Sequence, residues 1–503
     1  MANAHIDIDP RFTIGPVQRR LFGSFVEHLG RCVYTGIYEP GHPTADSDGF
    51  RTDVLDLVRE LGVSAIRYPG GNFVSGYRWE DGVGPQEERP KRMDLAWHSV
   101  ETNEFGLDEF ARWTKKAGSE LMYAVNLGTR GVEEALDVLE YSNMPSGTAL
   151  SDQRVQNGTP EPHNIRMWCL GNEMDGPWQL GHVSADDYGK IAAKTASAMR
   201  QVDPTLELVA CGSSKPTMPT FAEWERVVLS HTYEHVDYIS CHAYYEELDG
   251  DLKSFLASGA NMDEFIVSLI ATIDHVKAAL KSKRTINISF DEWNVWYNKR
   301  WHTEDKPKNA TEWRVAPRLL EDQYSVADAV VFGSLLISLL RHADRVTSAS
   351  LAQLVNVIAP IMTEPNGPAW RQTIFYPFAE ASRLAAGVVL RLNLTSDTYD
   401  TDMYGSVNRV DAIATHDAET GAVAVFLVNR GVDEEAEVTL HLGPLLEGKT
   451  VSASTIADGD VYAANSLEEP ERVVPQVNER VTVQGGLVTI VLPAVSWTTL
   501  TIS

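Results

Sequence analysis

The 503-residue sequence contains few cysteines, and the four that are present, Cys32, Cys169, Cys211 and Cys241, are widely spaced. Four scattered cysteines form neither a disulfide framework nor a paired Cys-x-x-Cys zinc site. We therefore expect them to be reduced and buried. The N-terminus lacks the basic start and the apolar run of a secretory signal, so we expect a cytoplasmic protein.

Basic side chains are also scarce, since 43 Lys and Arg against 70 Asp and Glu give a formal net charge of −27. Nucleic-acid binding draws much of its affinity from basic groups on phosphates, so the charge argues against a nucleic-acid partner and favours a neutral substrate. The longest mostly apolar stretch, residues 329–340, is shorter than the roughly 20 residues that span a bilayer. No membrane segment is expected.

From about residue 20 to 385, short apolar runs alternate with longer amphipathic stretches. This alternation is typical of repeated βα units around a parallel sheet. The eight predicted strands are residues 21–25, 64–68, 120–126, 165–170, 207–211, 236–241, 286–290 and 347–351. Eight such units predict an α/β fold, a (β/α)8 TIM barrel with long loops.

After about residue 385 the hydrophobic pattern changes to period two, as in residues 422–428 and 487–493. Such short alternating runs predict a C-terminal antiparallel β-sandwich, which we expect to be jelly-roll-like. The first residues alternate as well, so we expect them to pair with the sandwich. The predicted division is residues 1–17 for these N-terminal strands, 18–385 for a catalytic barrel and 386–503 for the sandwich.

Two glutamates directly follow predicted barrel strands, Glu173 after the fourth and Glu292 after the seventh. Active sites of such barrels lie at the C-terminal ends of the strands. Strands four and seven lie roughly opposite each other, so both carboxylates can flank one bond. In retaining glycosidases one carboxylic acid protonates the leaving oxygen, and a carboxylate about 5–5.5 Å away attacks the anomeric carbon.

The sequence around these glutamates resembles that of the intracellular α-L-arabinofuranosidases of glycoside hydrolase family 51. The resemblance covers nearly all of residues 15–385 and continues more loosely into the sandwich. The motifs that carry it are Phe25-Val-Glu-His-Leu-Gly-Arg-Cys, Arg67-Tyr-Pro-Gly-Gly-Asn-Phe, Cys169-Leu-Gly-Asn-Glu-Met-Asp-Gly-Pro-Trp, Asp291-Glu-Trp-Asn-Val-Trp-Tyr and Leu351-Ala-Gln-Leu-Val-Asn.

The resemblance implies a retaining, exo-acting enzyme that removes α-L-arabinofuranosyl residues from arabino-oligosaccharides and arabinoxylo-oligosaccharides. It implies Glu173 as acid/base and Glu292 as nucleophile, with no cofactor and no metal. The family's sugar-binding positions correspond to Glu27, Arg67, Asn72, Asn172, Tyr244 and Gln353. Members of the family are often hexamers, so we expect a homo-oligomer.

Three further side chains have both a functional and a structural interpretation. His242 is a candidate contact of the catalytic carboxylates, although a hydrogen-bonded core histidine fits the sequence nearly as well. Trp97 and Trp296 are candidates for a stacking platform for the aglycone sugar, although aromatic side chains are more often core residues.

Other functions remain open at this point. A related barrel glycosidase, an exo-β-xylosidase or an endo-β-glucanase, would use the same pair of carboxylates. A sugar-binding protein without turnover is a third hypothesis, against which the presence of both glutamates argues. The string His231-Thr-Tyr-Glu-His235 matches the H-x-x-E-H pattern of zinc peptidases, but no third ligand is evident and we do not expect a metal there.

Overall fold

The structure is a computed structural model that describes residues 2–503. Met1, the first residue of the predicted N-terminal segment, lies outside the described residues. Within the described part of the chain, eight parallel strands close a barrel and most of the other strands form two larger sheets. The predicted fold class, a TIM barrel with a mostly antiparallel sheet domain at its C-terminal side, is confirmed.

The strands from the N-terminus to the end of the barrel are β1 (Ala2–Asp7), β2 (Thr13–Pro16), β3 (Gly23–Phe25), β4 (Ala65–Tyr68), β5 (Arg92–Asp94), β6 (Ser99–Glu101), β7 (Glu120–Val125), β8 (Met167–Leu170), β9 (Glu207–Ala210), β10 (Tyr238–Tyr245), β11 (Asn287–Val295), β12 (Val346–Leu351), β13 (Ile361–Thr363) and β14 (Ala369–Arg371). The strands that follow are β15 (Val388–Leu390), β16 (Asn393–Ser396), β17 (Thr398–Thr401), β18 (Gly405–Asn408), β19 (Val410–His416), β20 (Val423–Asn429), β21 (Ala436–His441), β22 (Val451–Ile456), β23 (Gln476–Val477), β24 (Val481–Gln484), β25 (Leu487–Leu492) and β26 (Ser496–Ile502). The helices are α1 (Thr52–Leu61), α2 (Leu107–Ala117), α3 (Val132–Asn143), α4 (Ala149–Gln156), α5 (Ala185–Val202), α6 (Glu223–Thr232), α7 (Leu252–Leu256), α8 (Ser258–Leu280), α9 (Asn298–Arg300), α10 (Lys306–Asn309), α11 (Val326–Arg341) and α12 (Phe375–Leu384).

The barrel strands follow one another around the ring in chain order, β3, β4 and then β7 to β12. Each overlaps one of the predicted strands. Two of them are longer than predicted, because β10 and β11 stay paired as far as Tyr245 and Val295. Glu292 therefore lies within its strand, where we expected it to follow the strand. His242 lies directly beside it in the register.

The helices begin and end where local chemistry favours it. At the start of α11 the Ser325 hydroxyl accepts a hydrogen bond from the Asp328 amide, and the Asp328 carboxylate accepts one from the Ser325 amide, which is a capping box. The apolar stretch 329–340 lies in this helix and is buried on all sides. Across residues 2–503, no helix is both long enough and apolar enough to cross a membrane.

The C-terminal domain packs a five-stranded sheet against a seven-stranded sheet. The N-terminal strands join it, one in each sheet: β1 lies between β16 and β21, and β2 pairs with β15. Alternate residues of β1, including Ala4 and Ile6, are buried in the sandwich core. One detail differs from the antiparallel prediction, because β1 and β21 run parallel. The positions at which we divided the chain stay a prediction.

Polar contacts connect the barrel to the sandwich. Arg341, at the end of α11, is hydrogen-bonded to both Asp263 of α8 and Asp411 of β19. On the other side, the Trp497 indole nitrogen donates a 2.9 Å hydrogen bond to the Glu380 carboxylate of α12. These contacts hold the two domains against each other at two separate points.

Candidate active site

The C-terminal ends of the barrel strands bring the two candidate catalytic glutamates together. One carboxylate oxygen of Glu173 and one of Glu292 lie within 4.8 Å of each other, and the same limit holds for a ring nitrogen of His242. Glu173 is 8% exposed and Glu292 is 6% exposed. The pair therefore faces a small, largely enclosed space rather than an open surface.

Each oxygen of Glu292 accepts one hydrogen bond. Arg67 donates to Oε1 at 2.8 Å, and the Tyr244 hydroxyl donates to Oε2 at 2.8 Å. Burial and the charge of Glu292 raise the pKa of Tyr244 well above its usual value, so its hydroxyl keeps the proton that it donates. Two donors, one of them a permanent cation, stabilise Glu292 as a carboxylate.

Glu173 is held by two different donors. Its Oε1 lies 2.9 Å from Nδ1 of His242, and its Oε2 accepts a 2.6 Å hydrogen bond from the Trp178 indole nitrogen. The backbone of Glu173 has a positive φ of 43°, a conformation that is strained for a residue with a side chain. The loop after β8 thus turns sharply to place this carboxylate opposite Glu292.

Arg67 connects the two sides of the pocket. Besides contacting Glu292, its guanidinium donates a 2.5 Å hydrogen bond to the Asn172 side-chain oxygen, and it lies over the Phe25 ring. Asn172 is buried, and its amide nitrogen lies 3.4 Å from the Gln179 oxygen. The Asn172 side chain is therefore fixed directly beside the pair, as the sequence predicts.

Glu27 forms a second acidic centre in the floor of the pocket. Its Oε1 accepts hydrogen bonds from the Phe73 amide at 2.8 Å and the Trp97 indole at 3.0 Å, and Gln353 donates to Oε2 at 3.1 Å. Burial raises the pKa of Glu27 to about 8, although the bonds from Phe73 and Trp97 oppose this shift. Oε1 of Gln353 has no hydrogen-bond partner among the described residues, so it is available to a ligand hydroxyl.

The turn after β4 passes between these two acidic centres. A Cβ atom on Gly71 would lie 3.0 Å from Oε1 of Glu292 and 3.4 Å from Oε2 of Glu27, so this position requires glycine. The next residue, Asn72, is half-buried and also lines a neighbouring cavity of about 790 Å³. Asn72 thus lies at the rim of the pocket, whereas the other predicted polar residues lie within it.

His242 joins three carboxylates. Its Nδ1 lies 2.9 Å from Glu173 and 3.5 Å from Glu292, and its Nε2 lies 2.8 Å from Asp291. Burial by itself lowers the pKa of His242, but the charge of Glu292 and the hydrogen bonds to the two other carboxylates raise it well above its usual value. These carboxylates therefore favour the protonated ring, in which both nitrogens donate.

Two side chains in this network, Asp291 and Trp178, were not singled out from the sequence. Neighbouring residues of a strand face opposite sides, so a strand that presents Glu292 is not expected to present Asp291 as well. The register between β11 and β12 shifts between Phe290 and Trp293, which lets both side chains reach the pocket. For the contact between Trp178 and Glu173, the available signal was a tryptophan five residues after the glutamate. Trp178 is 45% exposed.

The two tryptophans predicted as a platform do not stack on each other. Trp97 is bonded to Glu27 and meets Trp301 edge to face, with ring centroids 5.8 Å apart. Trp296 meets Tyr244 edge to face at 5.1 Å. They line separate parts of the site, one beside each acidic centre, and their role as a platform stays a prediction.

Comparison with known proteins agrees with this geometry. A family model described as "Alpha-L-arabinofuranosidase 1 domain" matches residues 57–251, and one described as "Alpha-L-arabinofuranosidase C-terminal domain" matches residues 291–496. The chain is 60% identical to an intracellular exo-α-(1→5)-L-arabinofuranosidase of Streptomyces lividans, over 99% of this chain and 75% of that protein. The chain belongs to the family 51 α-L-arabinofuranosidases.

Further α-L-arabinofuranosidases are similar to this chain over nearly their full length. An exo-α-(1→6)-L-arabinofuranosidase of Bifidobacterium longum is 58% identical, over 99% of this chain and 97% of that protein. The solved structure of AbfB, a family 51 enzyme of the same species, is 50% identical with a TM-score of 0.95 over all of both chains. An arabinose complex of the Thermotoga maritima enzyme is 32% identical with a TM-score of 0.87, over 99% of each chain. The predicted family is confirmed.

Metal binding has two candidate locations in this family 51 chain. Glu173, His242 and Glu292 present donor atoms within 4.8 Å of one another, and the same three side chains are hydrogen-bonded to other residues of the site. At the His231 motif, α6 ends at Thr232, so the two histidines do not share a regular helical turn, and His231 contacts Asp186 instead. The His231 motif therefore lacks the geometry of the zinc-peptidase pattern.

Proposed function

We propose that this chain is a retaining exo-α-L-arabinofuranosidase that works by double displacement, with Glu292 as nucleophile and Glu173 as acid/base. The observation that carries the proposal is the distance of at most 4.8 Å between oxygens of the two carboxylates. Retaining glycosidases need such a short separation, whereas inverting enzymes leave room for a water between the carboxyl groups.

In the first step Glu292 attacks the anomeric carbon while Glu173 gives its proton to the leaving oxygen. In the second step Glu173 takes a proton from the water that displaces Glu292 and releases arabinose. This order requires Glu173 to hold a proton at the start, and with Glu27 protonated as well the charges of Asp291 and Glu292 balance those of Arg67 and His242. A pocket without net charge suits a neutral sugar.

Burial supports exo action. Glu27, Asn172 and Gln353 are each at most 3% exposed, so the groups that would hold the sugar are closed off from solvent on nearly all sides. A pocket of this kind receives one terminal residue, while an endo-acting enzyme needs an open groove for a chain that continues on both sides. This argues against the endo-β-glucanase hypothesis.

We further propose arabino-oligosaccharides and arabinoxylo-oligosaccharides as substrates, a cytoplasmic location and a homo-oligomer, with a hexamer as the form that the family resemblance implies. The relatives named above are called exo-α-(1→5) and exo-α-(1→6) enzymes at 60% and 58% identity, so a substrate panel must include both linkages. Efficient release of arabinose from insoluble arabinoxylan, with poor action on oligosaccharides, would contradict the proposed substrates. Light scattering measures the oligomeric state.

The test of the mechanism is proton NMR of products from 4-nitrophenyl α-L-arabinofuranoside with azide present. Wild-type enzyme should release α-L-arabinose first. Glu173→Ala should yield the α-azide, because azide then attacks the glycosyl-enzyme, and Glu292→Ala should yield the β-azide, because azide replaces the nucleophile. The same azide anomer from both variants would reject the assignment of the two glutamates. Cleavage of 4-nitrophenyl β-xyloside, with no cleavage of the arabinofuranoside, would favour the exo-β-xylosidase hypothesis.

A further inference from the structure

A second cavity lies at the junction of the two domains, far along the chain from the catalytic glutamates. Its volume is about 540 Å³, and it is enclosed by α12 of the barrel and by β22 and β26 of the sandwich. At its inner end the helix and the sheet meet through the hydrogen bond from Trp497 to Glu380. We call the space between these elements the wedge, and its lining includes Val477, which is 79% exposed.

The helix wall of this wedge is one face of α12. Tyr376, Ala379, Glu380 and Arg383 recur at intervals of three and four residues, so they lie on the same side of the helix and line the cavity. Phe378, on another face, is buried in the barrel core. The cavity-facing side thus carries an aromatic ring, a carboxylate and a guanidinium.

The sheet wall carries four hydroxyl groups. Ser452 pairs with Thr501 and Ser454 with Thr499 across the two strands, and side chains at alternate positions project from the same face. Next along that face lies Trp497, which is fully buried against the barrel. The sheet face therefore changes from apolar to hydroxyl-bearing where it separates from the helix.

We propose that this wedge is a second binding site for a neutral oligosaccharide, separate from the pocket of Glu173 and Glu292. If the junction between the helix and the sheet served stability alone, apolar side chains would fill it at the packing density of a protein interior. Here the hydroxyls of Ser452 and Thr501 share one 2.7 Å hydrogen bond, which leaves one hydroxyl hydrogen and the other lone pairs for a ligand, and the Tyr376 ring lines the same cavity. Hydroxyls beside an aromatic ring are the combination that sugar hydroxyls and sugar C–H faces require.

The charges of the lining support a neutral ligand. Glu60 at the rim is paired with Arg371, and Glu380 and Arg383 offer one charge of each sign. A ligand with a strong charge would therefore gain nothing from the cavity as a whole. The volume falls within the range of about 300–1,000 Å³ that is typical of small-molecule sites.

The test is isothermal titration with α-1,5-arabinohexaose, a probe whose choice rests on the proposed function. The titrated protein carries Glu292→Ala so that the probe is not cleaved. Two equivalents of the hexaose should bind to each Glu292→Ala chain. Adding Ala379→Trp, which fills the wedge, should reduce the number of bound equivalents to one. Adding Arg383→Ala together with Thr501→Ala should raise the Kd of the wedge site about tenfold or more.

Arg391→Ala, at an exposed position of the sandwich, is the matched control and should leave both equivalents unchanged. The wedge substitutions in otherwise wild-type enzyme should keep full activity on 4-nitrophenyl α-L-arabinofuranoside, which also shows that they fold. One equivalent in the Glu292→Ala protein, or two in the Ala379→Trp protein, would overturn the proposal. If the enzyme proved inactive on arabinofuranosides, the titration would still decide whether the wedge binds sugar.

Discussion

Asp291 accepts a 2.8 Å hydrogen bond from Nε2 of His242, although its neighbour in β11, Glu292, also faces the pocket. The other ring nitrogen of His242 contacts Glu173. The imidazole is therefore fixed between Asp291, which has no proposed chemical step, and Glu173, the proposed acid/base. A cation fixed in this way holds a proton beside the acid/base without being consumed. Asp291 is thus a positioning residue for the network.

Gly71→Ala should reduce kcat/KM for 4-nitrophenyl α-L-arabinofuranoside at least tenfold with little change in Tm. The added methyl group would lie 3.0 Å from Oε1 of Glu292 and 3.3 Å from the Phe25 ring, so it displaces the nucleophile from its bond with Arg67. Steady-state kinetics and a thermal melt measure the two effects. Gly41→Ala, where nothing lies within 4 Å of the new Cβ, should change neither.

His242→Gln should lower Tm most strongly at low pH. The pKa of the folded His242 lies well above the 6.5 of an unperturbed histidine, so its stabilising contribution is complete below pH 6.5 and is lost as the pH rises through the folded pKa. The difference in Tm between parent and variant should shrink as the pH rises above 6.5 and through the folded pKa. His275→Gln, on the exposed surface of α8, is the matched control.

Glu27→Gln should gain stability relative to the parent as the pH rises. A buried acid with its pKa raised from 4.5 to about 8 favours folding below pH 4.5 and loses that contribution as the pH rises through 8, and the amide has no such loss. Gln353 can turn its unbonded oxygen toward the new amide, which keeps the contact. A Tm difference that stays constant from pH 5 to pH 9 would contradict the prediction.

Arg341→Met should lower the free energy of unfolding by about 2 kcal/mol while kcat stays unchanged. The substitution keeps an apolar stem but leaves Asp263 and Asp411 without their shared cation. Arg341 ends a helix that leads into β12, so it lies near the N-terminal ends of the strands, opposite the active site. Denaturant unfolding and steady-state kinetics check the two parts, with Arg391→Met as the control.

The fold follows largely from hydrophobic period and length. All eight barrel strands overlap their predicted positions because buried parallel strands are short apolar runs that helices separate. The lengths of β10 and β11 were not predicted, because they continue through polar residues such as His242 and Glu292. Polar residues within a strand are stabilised by partners from other strands. The hydrophobic pattern of the strand itself carries no information about these partners.

The sequence predicts those site residues that can be recognised from their own local sequence. Glu173 lies in the loop after β8, as expected, whereas Glu292 lies within β11 instead of after it. The sugar-binding positions came from the family motifs. Asp291 and Trp178 depend on a shift in strand register and on the path of a loop, which arise only when the barrel closes. The raised pKa of Glu27 likewise comes from burial by neighbours distant in sequence.

The position of β1 between β16 and β21 has a consequence for biosynthesis. Ala2 pairs with Ala436, so β1 leaves the ribosome long before this partner strand, which follows the whole barrel. Until then Ala4 and Ile6 have no sandwich core to enter. Translation that stops within the barrel would leave this strand unpaired, so the burial of β1 depends on completion of the sandwich.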